Sequence, residues 1–206
     1  MTLTRRHALT TGLAAAAFLA LPAALRAQAA SREVVEMAIG DPDAPVTVVE
    51  YMMYTCPHCA NFHRDVFPQI KANFVDTGKV RFIFREVYFN RPSLWAAMIA
   101  RCAPQDRYLG ITDLLFQRQS TWATISDPNG MVAELKSIGR QAGMTDDEMN
   151  ACLADREFAE AMVEDFQTHA TADNIDSTPS FVIDGTKYGN LSYADFESRL
   201  NTALGE

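Results

Sequence analysis

Two cysteines separated by two residues, in Thr55-Cys56-Pro57-His58-Cys59-Ala60, carry the clearest chemistry in this chain. Such a pair can close a disulfide, bind a metal or exchange thiol for disulfide, and its place on the backbone decides which. Upstream, Val46-Thr47-Val48-Val49-Glu50-Tyr51-Met52 is β-branched and apolar and reads as a buried strand. Downstream, Phe62, Val66, Ile70 and Phe74 recur every four residues, one stripe of a helix. The pair therefore falls where a strand ends and a helix begins. The first turn of a helix presents unpaired N–H groups and the positive end of the dipole, and both favour a thiolate. Only the thiolate is a nucleophile. Cys56 is expected at the exposed helix end as the reactive sulfur, with Cys59 one turn on, more buried and able to close the disulfide. Pro57 suits the first helical position, which needs no N–H. The His58 ring is expected to donate to the Cys56 sulfur or, when charged, to neutralise it.

Two plainer readings compete. Cys56, Cys59 and His63 have zinc-like spacing, but no second nearby Cys/His pair completes a tetrahedral site. An inert structural disulfide is disfavoured because the strand-to-helix position promotes reactivity. Thiol–disulfide exchange, which needs no organic cofactor and no metal, is the reading retained. Glu50 lies in the same strand, six residues before Cys56. It is either a solvent-facing strand residue or a buried carboxyl that manages the proton on Cys59.

The elements around the pair follow from periodicity. Pro68 should kink the first helix, because it cannot donate to the Arg64 carbonyl, and Gly78 ends it. Residues 80–88 form a second strand, and strand–helix–strand makes a βαβ unit with a parallel pair. From about Pro92 to Ala172 the period is helical: Trp95, Met98, Ile99 and Cys102 share one stripe, and Leu109, Leu114, Leu115 and Phe116 mark another helix. Further helices are predicted over 131–141, 146–153 and 156–171, with Thr145 and Glu148 as a capping box and Asp155 as a cap. Strand character returns at Ser180-Phe181-Val182-Ile183, Asp184-Gly185 signals a hairpin, residues 186–189 return, and Ser192 caps a closing helix. The fold class is α/β, a sheet interrupted by a helical insertion. His169 reads as surface, and Trp95 and Trp122 as core or groove lining. No phosphate loop, Ser–His–Asp set or paired-carboxylate motif stands out.

Residues 1–29 are set aside as a secretory signal peptide. Arg5 and Arg6 precede an apolar stretch, and Ala27-Gln28-Ala29 offers a small-x-small cleavage site. Thr4-Arg5-Arg6-His7-Ala8-Leu9 is similar to a twin-arginine signal, with Ala8 in place of the usual Phe. The apolar run, about 15 residues and broken by Pro22, is short for a membrane anchor. The removed segment holds three Arg and no acid, so the mature net charge is 15 − 26 = −11. That charge argues against nucleic acid or anionic lipid as a partner. All four cysteines lie in the mature part, and an even count fits an oxidising compartment.

The strand, Cys56-Pro57-His58-Cys59, helix, helical insertion, Ser177-Thr178-Pro179-Ser180-Phe181 and hairpin, in that order, resemble the DsbA family of periplasmic dithiol oxidases, in its α-proteobacterial form. The resemblance implies a thioredoxin fold, with residues 30–91 and 173–206 as the thioredoxin-like part and 92–172 as the helical insertion domain. It implies a periplasmic monomer that passes the Cys56–Cys59 disulfide to reduced exported proteins. It also implies reoxidation by a membrane, quinone-linked oxidase of the DsbB type. Pro179, which by itself reads equally as a cis turn or a trans residue opening a strand, is implied to be cis, with Thr178 and Pro179 bordering the substrate groove. An acid at the position of Glu50 is implied to serve the cysteine pair. Cys102 and Cys152, each on a predicted helix of the insertion and without a C-x-x-C partner, are expected to form a second, structural disulfide instead of packing as two free thiols; the pair is similar in placement to a second disulfide that some α-proteobacterial relatives carry there. Two departures bear on oxidising strength: His63 stands where many members carry an acid, and Thr178 where the best-known oxidases carry Val. The rivals are an isomerase or reductase of the same fold and a redox-inert peptide-binding chaperone. Only about 15 residues separate the cleavage site from the first expected strand, too few for an isomerase's dimerisation module.

Overall fold

The computed structural model describes residues 33–206, so the signal-peptide reading of residues 1–29 lies outside them. Among the described residues, five strands form one sheet in the order β1-β3-β2-β4-β5. The central strand β2 (Val46–Met52) runs parallel to β3 (Val80–Glu86) and antiparallel to β4 (Ser180–Ile183). β5 (Thr186–Tyr188) returns from the Asp184-Gly185 turn, where both residues have positive φ. β1 (Met37–Ile39), which pairs antiparallel with the outer edge of β3, has no counterpart in the sequence reading. Three residues are too few to display alternation.

The helix after the cysteines is broken as Pro68 requires. α1 (Pro57–Asp65) stops at Val66, and α2 (Phe67–Ile70) starts afresh with Pro68 in its first turn. A wider π-type turn, Lys71–Val75, then leads to Gly78, whose φ of 75° turns the chain into β3. Between β3 and β4 run α3 (Arg91–Cys102), α4 (Tyr108–Gln117), α5 (Gln119–Trp122), α6 (Pro128–Gln141), α7 (Asp146–Ala154) and α8 (Arg156–Ala172). The Thr145–Glu148 capping box is complete, Asp155 caps α8, and Ser192 caps α9 (Tyr193–Leu204). No helix of the described residues is long and apolar enough to cross a membrane.

Strand alternation assigns the two sheet faces. Val48, Met52, Phe82, Phe84 and Phe181 belong to the large core with Phe62 of α1 and Phe196 of α9. Val49, Tyr51, Ile83 and Val87 face the other way, against Phe166 of α8. The insertion is fastened to the sheet by a buried ion pair. Arg101 of α3 donates to both Glu86 carboxylate oxygens at 2.6–2.9 Å, and the Tyr108 hydroxyl donates to the same carboxylate at 2.8 Å. Removing one partner of such a pair strands a buried charge, at about 3–5 kcal/mol.

Cys102, at the end of α3, and Cys152, in α7, are joined by a disulfide with their Cα atoms 6.1 Å apart. In the chain-entropy model a bond closing a loop of about 50 residues restricts the unfolded chain by roughly 4 kcal/mol. Replacing both by Ser is therefore expected to lower Tm by several degrees and to leave thiol exchange at Cys56 near its original rate. Calorimetry beside a peptide-oxidation assay checks this, and an unchanged Tm would remove the bond from the stability account.

Candidate functional site

Cys56 is the N-cap of α1, in extended conformation (φ −86°, ψ 117°), and Pro57 is the first helical residue. The backbone N–H groups of His58 and Cys59 thus open toward the Cys56 sulfur. Both cysteines are free thiols, so the pair stands in its reduced form. Their surroundings drive the two sulfurs apart. Cys56 is lowered from an ordinary 9.0 to about 5, chiefly because the Cys59 thiol donates to it. Burial opposes this, and the Thr178 side chain and the backbone N–H groups of Cys59 and His58 add to it. Cys59 is pushed far upward, first by burial, then by the neighbouring Cys56 sulfur and by the charge of Glu50. One sulfur is a ready nucleophile and leaving group; the other holds its proton.

Two sequence expectations need correction. Cys56 is not at an exposed end: it is only 7% exposed, and its sulfur lies 3.3 Å from the Thr178 carbonyl oxygen. The strand-to-helix turn is covered by the segment before β4. The second concerns His58, whose ring is exposed and whose backbone N–H is the group that reaches the Cys56 sulfur. At the second helical position the side chain turns outward while the N–H lies along the axis toward the cap.

Thr178-Pro179 is a cis peptide, placed against Cys56 by the start of β4. Glu50 is fully buried, so the solvent-facing alternative is excluded. Its register neighbours are Phe84 on β3 and Phe181 on β4, an apolar setting. Its carboxylate is met by His63 Nε2 at 3.0 and 3.1 Å. His63 therefore turns to Glu50 instead of joining the cysteines as a metal ligand. No group of three or more His, Cys, Asp or Glu suited to a metal occurs among the described residues.

The sequence did not disclose how the insertion grips the cysteine turn. Gln119 Nε2 of α5 donates to the carbonyls of Tyr54 and Cys56 at 2.8 and 2.9 Å. Ser93 of α3 accepts from Tyr54 N–H at 3.1 Å, and the Tyr54 hydroxyl pairs with Thr112 of α4 at 2.8 Å. A glutamine amide between helices carries no motif, and these contacts span 39 to 65 residues of sequence.

The geometry has close relatives. The family model described as Thioredoxin matches residues 32–202. The fold superimposes on Wolbachia pipientis alpha-DsbA1 with a TM-score of 0.74 and 30% identity, covering 82% of this chain and 91% of that one. Oxidised BdbD from Bacillus subtilis gives 0.73 at 25% identity, covering 83% and 94%. The chain is a DsbA-type member of the thioredoxin family. Proteins named as protein-disulfide oxidoreductases from Rickettsia bellii and Rickettsia felis are 28% and 30% identical over 172 residues, 83% of this chain. The match spans 65% and 61% of the length of those two relatives.

The depressed Cys56 value has a definite linkage sign. In the unfolded chain the thiol titrates near 8.5. A group lowered to about 5 in the fold stabilises the reduced protein fully above the unfolded value and loses that contribution as pH falls through about 5. Reduced protein should therefore need progressively more urea to unfold as pH rises from about 5 to about 9, and Cys56→Ser should abolish that Cys56 increment. In Cys59→Ala protein, which loses the Cys59 donor, thiolate absorbance should titrate higher than in the intact reduced protein. A Cys56 thiol titrating near 8.5 in the intact reduced protein would refute the assignment.

Proposed function

We propose that the chain is a thiol–disulfide oxidoreductase that introduces disulfides into exported proteins outside the cytoplasm, in the periplasm. The observation that carries the reading is the opposed pair of sulfurs at the start of α1, Cys56 held as thiolate and Cys59 as thiol. In the oxidised enzyme a substrate thiolate attacks Cys56 Sγ. The Cys56–Cys59 bond breaks, a mixed disulfide forms, and Cys59 leaves and takes up a proton. A second substrate thiolate then attacks the substrate sulfur of the mixed disulfide. The substrate disulfide forms, Cys56 leaves as its stable thiolate, and two electrons have passed from substrate to enzyme. A stable Cys56 thiolate favours the reduced enzyme and so makes the disulfide oxidising.

Glu50, buried beneath the pair, is the group that handles the Cys59 proton. The Thr178-Pro179 segment, beside Cys56, borders the groove for an extended substrate, whose backbone can pair where β4 begins. Pro57 frees the first helical position of an N–H it would not use. No organic cofactor or metal enters the chemistry. The working form is a monomer, its substrates are reduced exported proteins, and a membrane, quinone-linked oxidase of the DsbB type returns the pair to the disulfide. The Cys102–Cys152 bond suits an oxidising compartment.

The decisive measurement is the equilibrium of the Cys56–Cys59 pair with glutathione. An oxidase should give a potential more positive than about −180 mV, whereas a value near about −270 mV would make the protein a reductase. Cys56→Ser should abolish exchange, and Cys59→Ser, whose lone Cys56 thiolate attacks a disulfide but has no internal thiol to release it, should accumulate mixed disulfides with disulfide-bonded peptides. Retained function in Cys56→Ser would point to peptide binding alone.

A further inference from the structure

Glu50 cannot exchange protons with bulk solvent by itself. It is completely buried in the sheet between Phe84 and Phe181, and the Cys59 it serves is equally buried. A group that takes up a proton in one half-reaction and releases it in the other needs a route. The structure holds a second titratable group in contact with it, His63 of α1, buried with Nε2 on both Glu50 oxygens. The other ring nitrogen, Nδ1, is buried and has no hydrogen-bond partner among the described residues. A buried polar atom left unpaired is unusual and calls for an explanation.

The surroundings of the ring supply one. His63 lines a cavity of about 520 Å³ between α1, α2 and α4, with Ala60, Phe67, Leu109, Asp113, Phe116 and Gln117 among its walls. The ring stacks on Phe116 of α4 with centroids 4.4 Å apart, which fixes its plane. The titratable groups around it are few. Glu50 faces it from β2, Asp113 from α4, Cys59 precedes it by one turn on α1, and Arg64 and Lys71 share the cavity wall; β3 and α2 offer only Phe84 and Phe67 rings. Asp113 is itself raised by burial, with His63 pulling the other way, which places a second proton-carrying group in the same cavity.

We propose that His63 is a positioning and relay residue that connects Glu50, and through it Cys59, to solvent in the α1–α4 cavity. This rests on the thiol-exchange reading above. When substrate attack on Cys56 expels Cys59 as a thiolate, Glu50 gives it a proton. The Nε2 proton of His63 passes to Glu50, and Nδ1 accepts one from the cavity side. When the pair is reoxidised, Cys59 returns its proton to Glu50, Glu50 returns one to Nε2, and Nδ1 releases its own. The ring is restored over one full cycle without turning over in its slot, and one proton enters and leaves per turnover by a path separate from the substrate groove.

The test uses the reduced mature protein and oxidised glutathione, followed by rapid acid quench and mass measurement. Formation of the Cys56–glutathione mixed disulfide needs only the Cys56 thiolate. Its resolution by Cys59 needs Cys59 to lose a proton, so it alone reads the relay. In His63→Phe, which keeps a ring against Phe116, resolution should slow by roughly ten- to a hundredfold and gain a larger solvent deuterium isotope effect, with the first step unchanged. In His63→Ala, added imidazole should restore resolution, whereas pyrrole, a ring of the same size without a basic nitrogen, should not. Leu109→Trp, which narrows the cavity without touching the Glu50–His63 pair, should also slow resolution, and this arm stands if the His63 variants do not fold. Unaltered resolution in the variants that fold, or equal rescue by pyrrole, overturns the relay. Failure of the first step in the wild-type protein would instead overturn thiol exchange at Cys56.

Discussion

The reactive centre depends on hydrogen-bond donors reaching the Cys56 sulfur in a place where water does not. Burial alone would push both thiols upward, as it does Cys59. Cys56 escapes because it is the helix cap: the N–H groups of His58 and Cys59 converge on it, Cys59 adds its thiol proton, and Thr178 contributes from the β4 side. The sulfurs are therefore coupled. The proton that Cys59 cannot lose is the one that stabilises the charge on Cys56, so the low value of one and the high value of the other have a common origin.

That arrangement survives only if the turn before α1 is held still, and the insertion holds it. The residues leading into a helix lie outside its hydrogen-bond ladder and need partners from elsewhere, and the cap carbonyl can accept a second bond beside the one from Ala60 N–H. Here Gln119 satisfies the Tyr54 and Cys56 carbonyls, while Ser93 accepts the Tyr54 N–H. Ser93 also donates to the Val87 carbonyl at 3.1 Å, which links the cysteine turn to the end of β3. The buried Glu86–Arg101–Tyr108 cluster lies just before that point in the chain. The helical block is thus part of the active-site scaffold and closes the loop that a bare strand–helix junction would leave to solvent.

What the sequence made legible, and what it did not, divides along the range of the interactions. The cysteine turn, the strands at Val46–Met52 and Ser180–Ile183, the Pro68 break and the three side-chain caps depend on local backbone rules, and they are where those rules put them. The family pattern added the order of Cys-Pro-His-Cys and Thr-Pro around the insertion. β1 escaped because its pairing with β3, not its own three residues, makes it a strand. Gln119 escaped because a buried amide is specified by two carbonyls far away in the chain. His58 was misjudged for a different reason. Adjacency in sequence suggested contact, yet at the start of a helix the backbone points at the cap and the side chain does not.

His63 belongs to the same class as Gln119, but helix geometry explains its position after the fact. It follows Cys59 by four residues, one turn further along the same face of α1. Glu50 projects from the parallel strand beneath that face, between two phenylalanines, so Cys59 and His63 bracket it. A carboxyl group buried in such a layer requires a hydrogen-bond partner, and a lysine or arginine there would fix the pair as a permanent salt bridge. Imidazole differs because it can donate at one nitrogen while accepting at the other. It satisfies Glu50 without removing the carboxylate from proton chemistry, and its stacking on Phe116 leaves the second nitrogen in one orientation. His63 therefore supports Glu50 through one ring nitrogen while the other stays free to accept a proton, which is the property the proposed relay uses.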